Sequence, residues 1–185
     1  SILWASRMRG LPMEPAVSLA STCCAAAAQW QMAQALQNWL GPRGLRPVLI
    51  LLCVLGPLGF ALHLEHIPNR MAWFSVCHGL SVWGLGFMCL RPTATSSRSW
   101  RYLIAGCAGV MGCSLFSRAY LVLNTGMLSE FATEGSANYV FAAIAQICST
   151  LVLVSVLVAW RDESNLKLRE MALSDQLTGL ANRHA

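Results

Sequence analysis

Residues 139–160 read YVFAAIAQICSTLVLVSVLVAW, without one charged side chain. About 20 apolar residues is the length of α-helix that crosses the hydrocarbon core of a bilayer. In that medium every backbone N–H and C=O must be satisfied inside the segment, which leaves the helix as the form open to a single run. The rest of the chain follows the same pattern. Hydrophobic residues make up 56% and charged residues only 11%, against about 25% charged in a soluble domain. Too few charges remain to face water. The same composition excludes a disordered chain, which needs low hydrophobicity and high charge. The expected fold class is all-α, a multi-pass transmembrane helical bundle.

About five spans are expected, at residues 16–36, 48–63, 71–90, 102–123 and 139–160. The first is Ala-rich and weakened by Gln29, Gln31 and Gln34. Gln31, Gln34 and Asn38 recur at helical spacing, so they are expected to share one face and point into the bundle. The second is short and carries Gly56-Pro57 near its centre, which predicts a kink. The fourth carries Gly106, Gly109 and Gly112, expected as a small-residue track for close helix packing. Trp39, Trp73, Trp100 and Trp160 lie near span ends, where an aromatic belt is expected.

The net charge of +5 comes from 13 Lys and Arg against 8 Asp and Glu, and Lys167 is the only lysine. The arginines punctuate the apolar runs and do not cluster into a nucleic-acid patch, so the expected partner is the lipid bilayer. Five spans put the chain ends on opposite sides. With the C-terminus cytoplasmic, the inner segments hold eight cations: Arg43, Arg46, Arg91, Arg98, Arg101, Arg161, Lys167 and Arg169. The outer ones hold Arg7, Arg9 and Arg70. The positive-inside bias selects that orientation. The eight cysteines include no CxxC pair, and six lie in apolar runs, so buried free thiols are expected rather than a disulfide scaffold.

Four side chains stand out as candidate sensor residues. His78, inside the third span, is a haem, metal or proton site on one reading and a neutral histidine bonded to a neighbouring helix on the other. His63, Glu65 and His66 cluster at the outer end of the second span, and imidazoles three apart on a helix could share a metal ion, but no third ligand is evident. The other reading is interfacial polarity, and no metal site is assigned. Arg118 sits toward the outer face of the fourth span. It either snorkels to the headgroups or pairs with Glu130 or Glu134 to form an extracytoplasmic ligand pocket. The glycines of the fourth span lack the Lys and Ser/Thr of a P-loop, and no Ser/His/Asp triad can be assigned.

After Trp160 the composition turns charged. Residues 161–174 lack Gly and Pro and are expected as a cytoplasmic helix continuing from the membrane region, 1–160. The chain then ends MALSDQLTGLANRHA. Leu173 and Leu177 can start a core, Asp175 can cap a new helical turn, and Gly179 permits a tight turn. From spacing alone, a soluble domain begins here.

This run resembles the opening of the GGDEF domain of bacterial diguanylate cyclases, in which a membrane-exit helix ends in a pattern like A-x-x-D-x-L-T-G-L-x-N-R. Ala172, Asp175, Leu177, Thr178, Gly179, Leu180, Asn182 and Arg183 match in register. Gln176 stands where Pro is common and His184 where a second Arg is common. The resemblance implies that residues 175–185 are the first turn of a truncated α/β GGDEF domain. It also implies an inner-membrane homodimer whose full-length form joins two GTP, with Mg²⁺, into cyclic di-GMP. The matched residues are structural in the family. The metal carboxylates and signature loop lie further along, so no catalytic residue is carried over and this chain alone is expected to bind neither GTP nor Mg²⁺. The chain begins at Ser1 and ends just after the motif starts, and is expected to be an internal piece of a longer protein. One rival is a regulator with a degenerate GGDEF domain, linked or not to a phosphodiesterase. The other is a transporter or channel fragment. The signal is not legible.

Overall fold

A computed structural model describes residues 13–41, 44–91, 98–125 and 136–173. They form five α-helices: α1 Glu14–Leu40, α2 Arg46–Leu62, α3 Ile67–Leu90, α4 Arg98–Thr125 and α5 Ser136–Leu173. There is no strand among the described residues. The helices run up and down in sequence. α3 packs most extensively on α4, α5 lies against α4, and α1 covers α2 and α3.

Local chemistry sets the helix ends. Pro15, Pro47 and Pro68 each fall in the first turn of α1, α2 and α3. There the missing N–H costs nothing and the fixed φ favours helix. α1 stops at Gly41, whose φ of 80° is a conformation that favours glycine. Pro57 lies inside α2, which continues on both sides of it. Nearby carbonyls gain side-chain partners: Trp73 Nε1 donates to Leu55 O at 2.9 Å, and His63 Nδ1 lies 2.7 Å from Gly59 O. A neighbouring helix thus supplies polar contacts around a proline-interrupted turn.

Among the described residues three helices are long and apolar enough to cross a membrane: Ile67–Leu90, Ser99–Thr125 and Tyr139–Leu168. α2 is apolar but has 17 residues, about 25 Å of helix. α1 has 27 residues, and its glutamines dilute its apolar character. Large apolar side chains also face outward, among them Leu58 on α2, Leu80 and Phe87 on α3, Val110 on α4 and Leu153 and Leu157 on α5. In water, faces like these would drive aggregation, whereas in a bilayer they meet lipid. Length, composition and outward faces together mark a membrane protein.

The main core draws on all five helices: Ala33, Leu36 and Leu40 of α1, Leu49 of α2, Leu85, Met88 and Cys89 of α3, Trp100 and Ile104 of α4, and Ala159 of α5. It lies toward the end where α1 and α3 finish. Ser81 and Ser155, fully buried, bond back to Cys77 O at 2.9 Å and Leu151 O at 2.8 Å. Hydroxyls satisfied within their own helix let the backbones approach without stranding a polar group.

Several expectations are corrected. Gln31, Gln34 and Asn38 are exposed, because Ala33, Leu36 and Leu40 form the competing stripe and bury more apolar area. Of the glycine track, only Gly112 is tightly approached. A Cβ on Gly106 or Gly109 would meet nothing within 4 Å, whereas one on Gly112 would overlap the Trp83 indole. Cys77, Cys89, Cys107 and Cys148 are buried free thiols, but Cys23, Cys24 and Cys113 are exposed on the outer faces of α1 and α4. Trp100 is a core residue at 3% exposure, not part of a belt, while Trp160 is exposed.

Candidate signalling site

Polar side chains gather at the two ends of the bundle. At the end where α1 begins, Arg70 in the first turn of α3 is nearly buried and reaches back across 56 residues. Its Nη2 donates to Glu14 Oε1 at 2.8 Å and its Nη1 to Leu64 O at 3.2 Å. Its guanidinium also stacks over Phe60, 5.7 Å from the ring centroid. Counted from the sequence as a topology charge, Arg70 instead clamps α1 to the α2–α3 turn. A cation so enclosed needs its partner, since an uncompensated buried charge is costly.

Beside this clamp, His63 caps α2. Its N–H donates to Phe60 O at 3.3 Å, and its ring stacks on Trp73 with centroids 6.2 Å apart. His66 is the exposed N-cap residue of α3 and makes no side-chain cap bond. The two histidines therefore bracket a turn and do not share a helix face. No group of three His, Cys, Asp or Glu able to hold a metal occurs among the described residues.

His78 is half-buried in α3. Its ring stacks on Phe74, centroids 5.0 Å apart, and its carbonyl accepts from Gln29 Nε2 of α1 at 3.4 Å. The contacts that place His63 and His78 are thus to different neighbours, not to each other. Arg118 is half-buried on α4. Glu130 and Glu134, its expected pocket partners, lie outside the described residues, as do Arg7, Arg9 and Arg43.

At the opposite end, α1, α4 and α5 are joined through aromatic and charged groups. Trp39 packs edge-on against Trp100, centroids 5.8 Å apart. Its indole N–H donates to Glu163 Oε2 at 3.0 Å, across 124 residues, while Lys167 Nζ donates to Glu163 Oε1 at 2.7 Å. Arg101, also buried, donates from Nε to Cys89 O at 3.0 Å and from Nη2 to Arg91 O. It satisfies carbonyls left open at the C-terminal end of α3, where a cation is favoured.

Sequence reasoning missed the Glu14–Arg70 and Trp39–Glu163 pairs. One signal was present for the first: an acid is rare in so apolar a chain, and Glu14 stands beside a helix-starting proline.

α5 has 38 residues, about 57 Å of helix. It continues past Trp160 to Leu173 without a break. Ala172 falls on its last turn. Asp175, Leu177, Thr178, Gly179, Leu180, Asn182 and Arg183 lie outside the described residues. Comparison with known protein families, curated proteins and solved structures gives no match.

Proposed function

We propose that this chain is the membrane sensor part of a bacterial inner-membrane diguanylate cyclase, leading into its GGDEF domain. The observation that carries the reading is the run Ala172, Asp175, Leu177, Thr178, Gly179, Leu180, Asn182 and Arg183, in register with the family's opening pattern. It stands directly after a helix that leaves the apolar region unbroken. In this reading α1 and α2 add two crossings to the three long spans, and the C-terminus is cytoplasmic. Two copies pair so that two GTP-loaded domains face each other.

A signal acts by changing how the bundle packs or how the copies pair. The Trp39–Glu163 contact is where α1 would bias α5, and α5 is the element that would pass the change on. His63, His66, His78 and Arg118 remain the candidate sensor residues. Mg²⁺ bound with GTP would neutralise phosphate charge in the full enzyme. In this reading the carboxylates that would hold it belong to a later part of the full-length protein, and no catalytic role is assigned to this chain.

Reading the coding sequence beyond Ala185 tests the proposal. An intact GGDEF loop with its metal carboxylates is the expected result. Their loss would overturn the cyclase reading in favour of a regulator, and the absence of any such domain would remove the family altogether.

A further inference from the structure

An apolar groove of about 460 Å³ runs along the outside of the bundle where α3 meets α4 and the α1–α2 connection. Leu45, Trp83, Phe87, Leu90, Ala108 and Gly109 are among the residues lining it. Its far end is a fixed wall. The Trp83 indole stands against Gly112, packs edge-on to Phe116 with centroids 4.8 Å apart, and points its N–H at Gly109 O, 3.4 Å away. From Trp83 to Leu90 is about 10 Å of helix. The near end lies where α3 finishes and α2 begins, at one face of the bundle. Trp83, Phe87 and Leu90 are about half exposed, so the groove opens toward lipid.

The near end is positively charged. Leu90 is followed by Arg91, which is exposed, whereas the Arg46 guanidinium lies over the Trp30 ring of α1, 5.7 Å from its centroid. Arg91 lies over the ring of Phe87, itself a lining residue, 5.1 Å from its centroid. A guanidinium presents paired N–H donors that match a phosphate. An apolar slot that takes about the first half of an acyl chain and ends at a bilayer face beside an arginine has the chemistry of one molecule, a phospholipid with a net negative headgroup.

A second copy of the chain fits less well. In a two-fold pair within one membrane the same patch meets itself, so the arginines of both copies would face like charges at the same depth. The groove also ends after about two helical turns, short of a stable helix–helix seam.

We infer that this groove is a binding site for an anionic phospholipid, the headgroup-proximal half of one acyl chain between Trp83 and Leu90 and the phosphate held by Arg91. The inference rests on the chain's membrane placement and is independent of the cyclase reading. Lipid retained by the site would fill the α3–α4 surface beside the main core.

The test uses the purified chain, delipidated in detergent and titrated with phosphatidylglycerol or phosphatidylcholine of identical tails, with bound lipid counted by native mass spectrometry. Phosphatidylglycerol should bind about fivefold tighter or more, the scale of one arginine meeting a phosphate. Arg91→Gln should erase the preference. Arg91 is exposed, so this variant tests the site without disturbing the core. Gly109→Leu should lower binding of both lipids by about tenfold, since a Cβ there meets no atom within 4 Å and the added side chain fills the groove. Equal binding of the two lipids, or binding unchanged by Gly109→Leu in a variant with wild-type circular dichroism, would overturn the inference. So would a dimer broken by Gly109→Leu while lipid binding persists, which would give the groove to a second copy.

Discussion

Two glycines on α4 should respond in opposite ways to the same substitution. A Cβ at Gly112 would occupy the space of Trp83 Nε1 and Cδ1, while a Cβ at Gly106 meets nothing within 4 Å. Trp83 cannot move aside freely, because Phe116 and Gly109 O hold its indole. In Gly112→Ala the indole gives up an edge-to-face contact of about 0.5–1.5 kcal/mol and a hydrogen bond of about 0.5–1.5 kcal/mol. Together these cost about 1–3 kcal/mol, the usual range for overpacking. Both substitutions gain about 1 kcal/mol of helix propensity, so that gain cancels when the two variants are compared. The difference between them therefore isolates the clash. For a chain of this size it separates the melting midpoints by about 2–12 °C, with Gly106→Ala at or above wild type. Circular dichroism of the detergent-solubilised protein measures it. In a Trp83→Ala background the penalty at Gly112 should vanish. Equal losses for Gly106→Ala and Gly112→Ala would refute the reasoning and restore the whole track as a packing seam.

Glu14→Gln should destabilise the bundle by about 1.5–3 kcal/mol, the worth of a hydrogen bond to a charged group. Adding Arg70→Met should recover part of that loss; an unchanged melting midpoint in the single variant would show the clamp is idle. Cys107 on α4 and Cys148 on α5 are both buried with their thiols near each other, so an oxidant that reaches the apolar interior should link them within one chain. Peptide mass spectrometry showing both still reduced while other thiols oxidise would contradict the α4–α5 packing. Inserting one residue after Asn165 turns everything beyond it by about 100°, and should abolish the signal response of the full-length protein. A surviving response would exclude rigid transmission through α5.

The helices were legible where chemistry is local. The charge-free run 139–160 could only be helical in lipid, and Pro15, Pro47 and Pro68 each mark a first turn because the missing N–H costs nothing there. What was hidden depended on competition or distance. Membrane logic turned Gln31, Gln34 and Asn38 inward, yet Leu36 and Leu40 on the other face of α1 had more to gain from burial. The glycine spacing of α4 indicated close approach but not which glycine is approached, since that follows from Trp83 on another helix. The two end clusters join residues 56 and 124 positions apart, and no spacing rule reaches that far. The candidate sensor residues are rare polar groups in or beside apolar runs. The same criterion, extended to the acids, points to Glu14.

The central claim is that this membrane bundle serves a cyclase. Its most direct test is the conversion of GTP by the purified full-length protein in the presence of Mg²⁺, with the product identified by mass spectrometry. The account predicts cyclic di-GMP, formed with release of pyrophosphate. Folded, membrane-inserted full-length protein that yields no cyclic di-GMP, with or without added membrane signal, would contradict it.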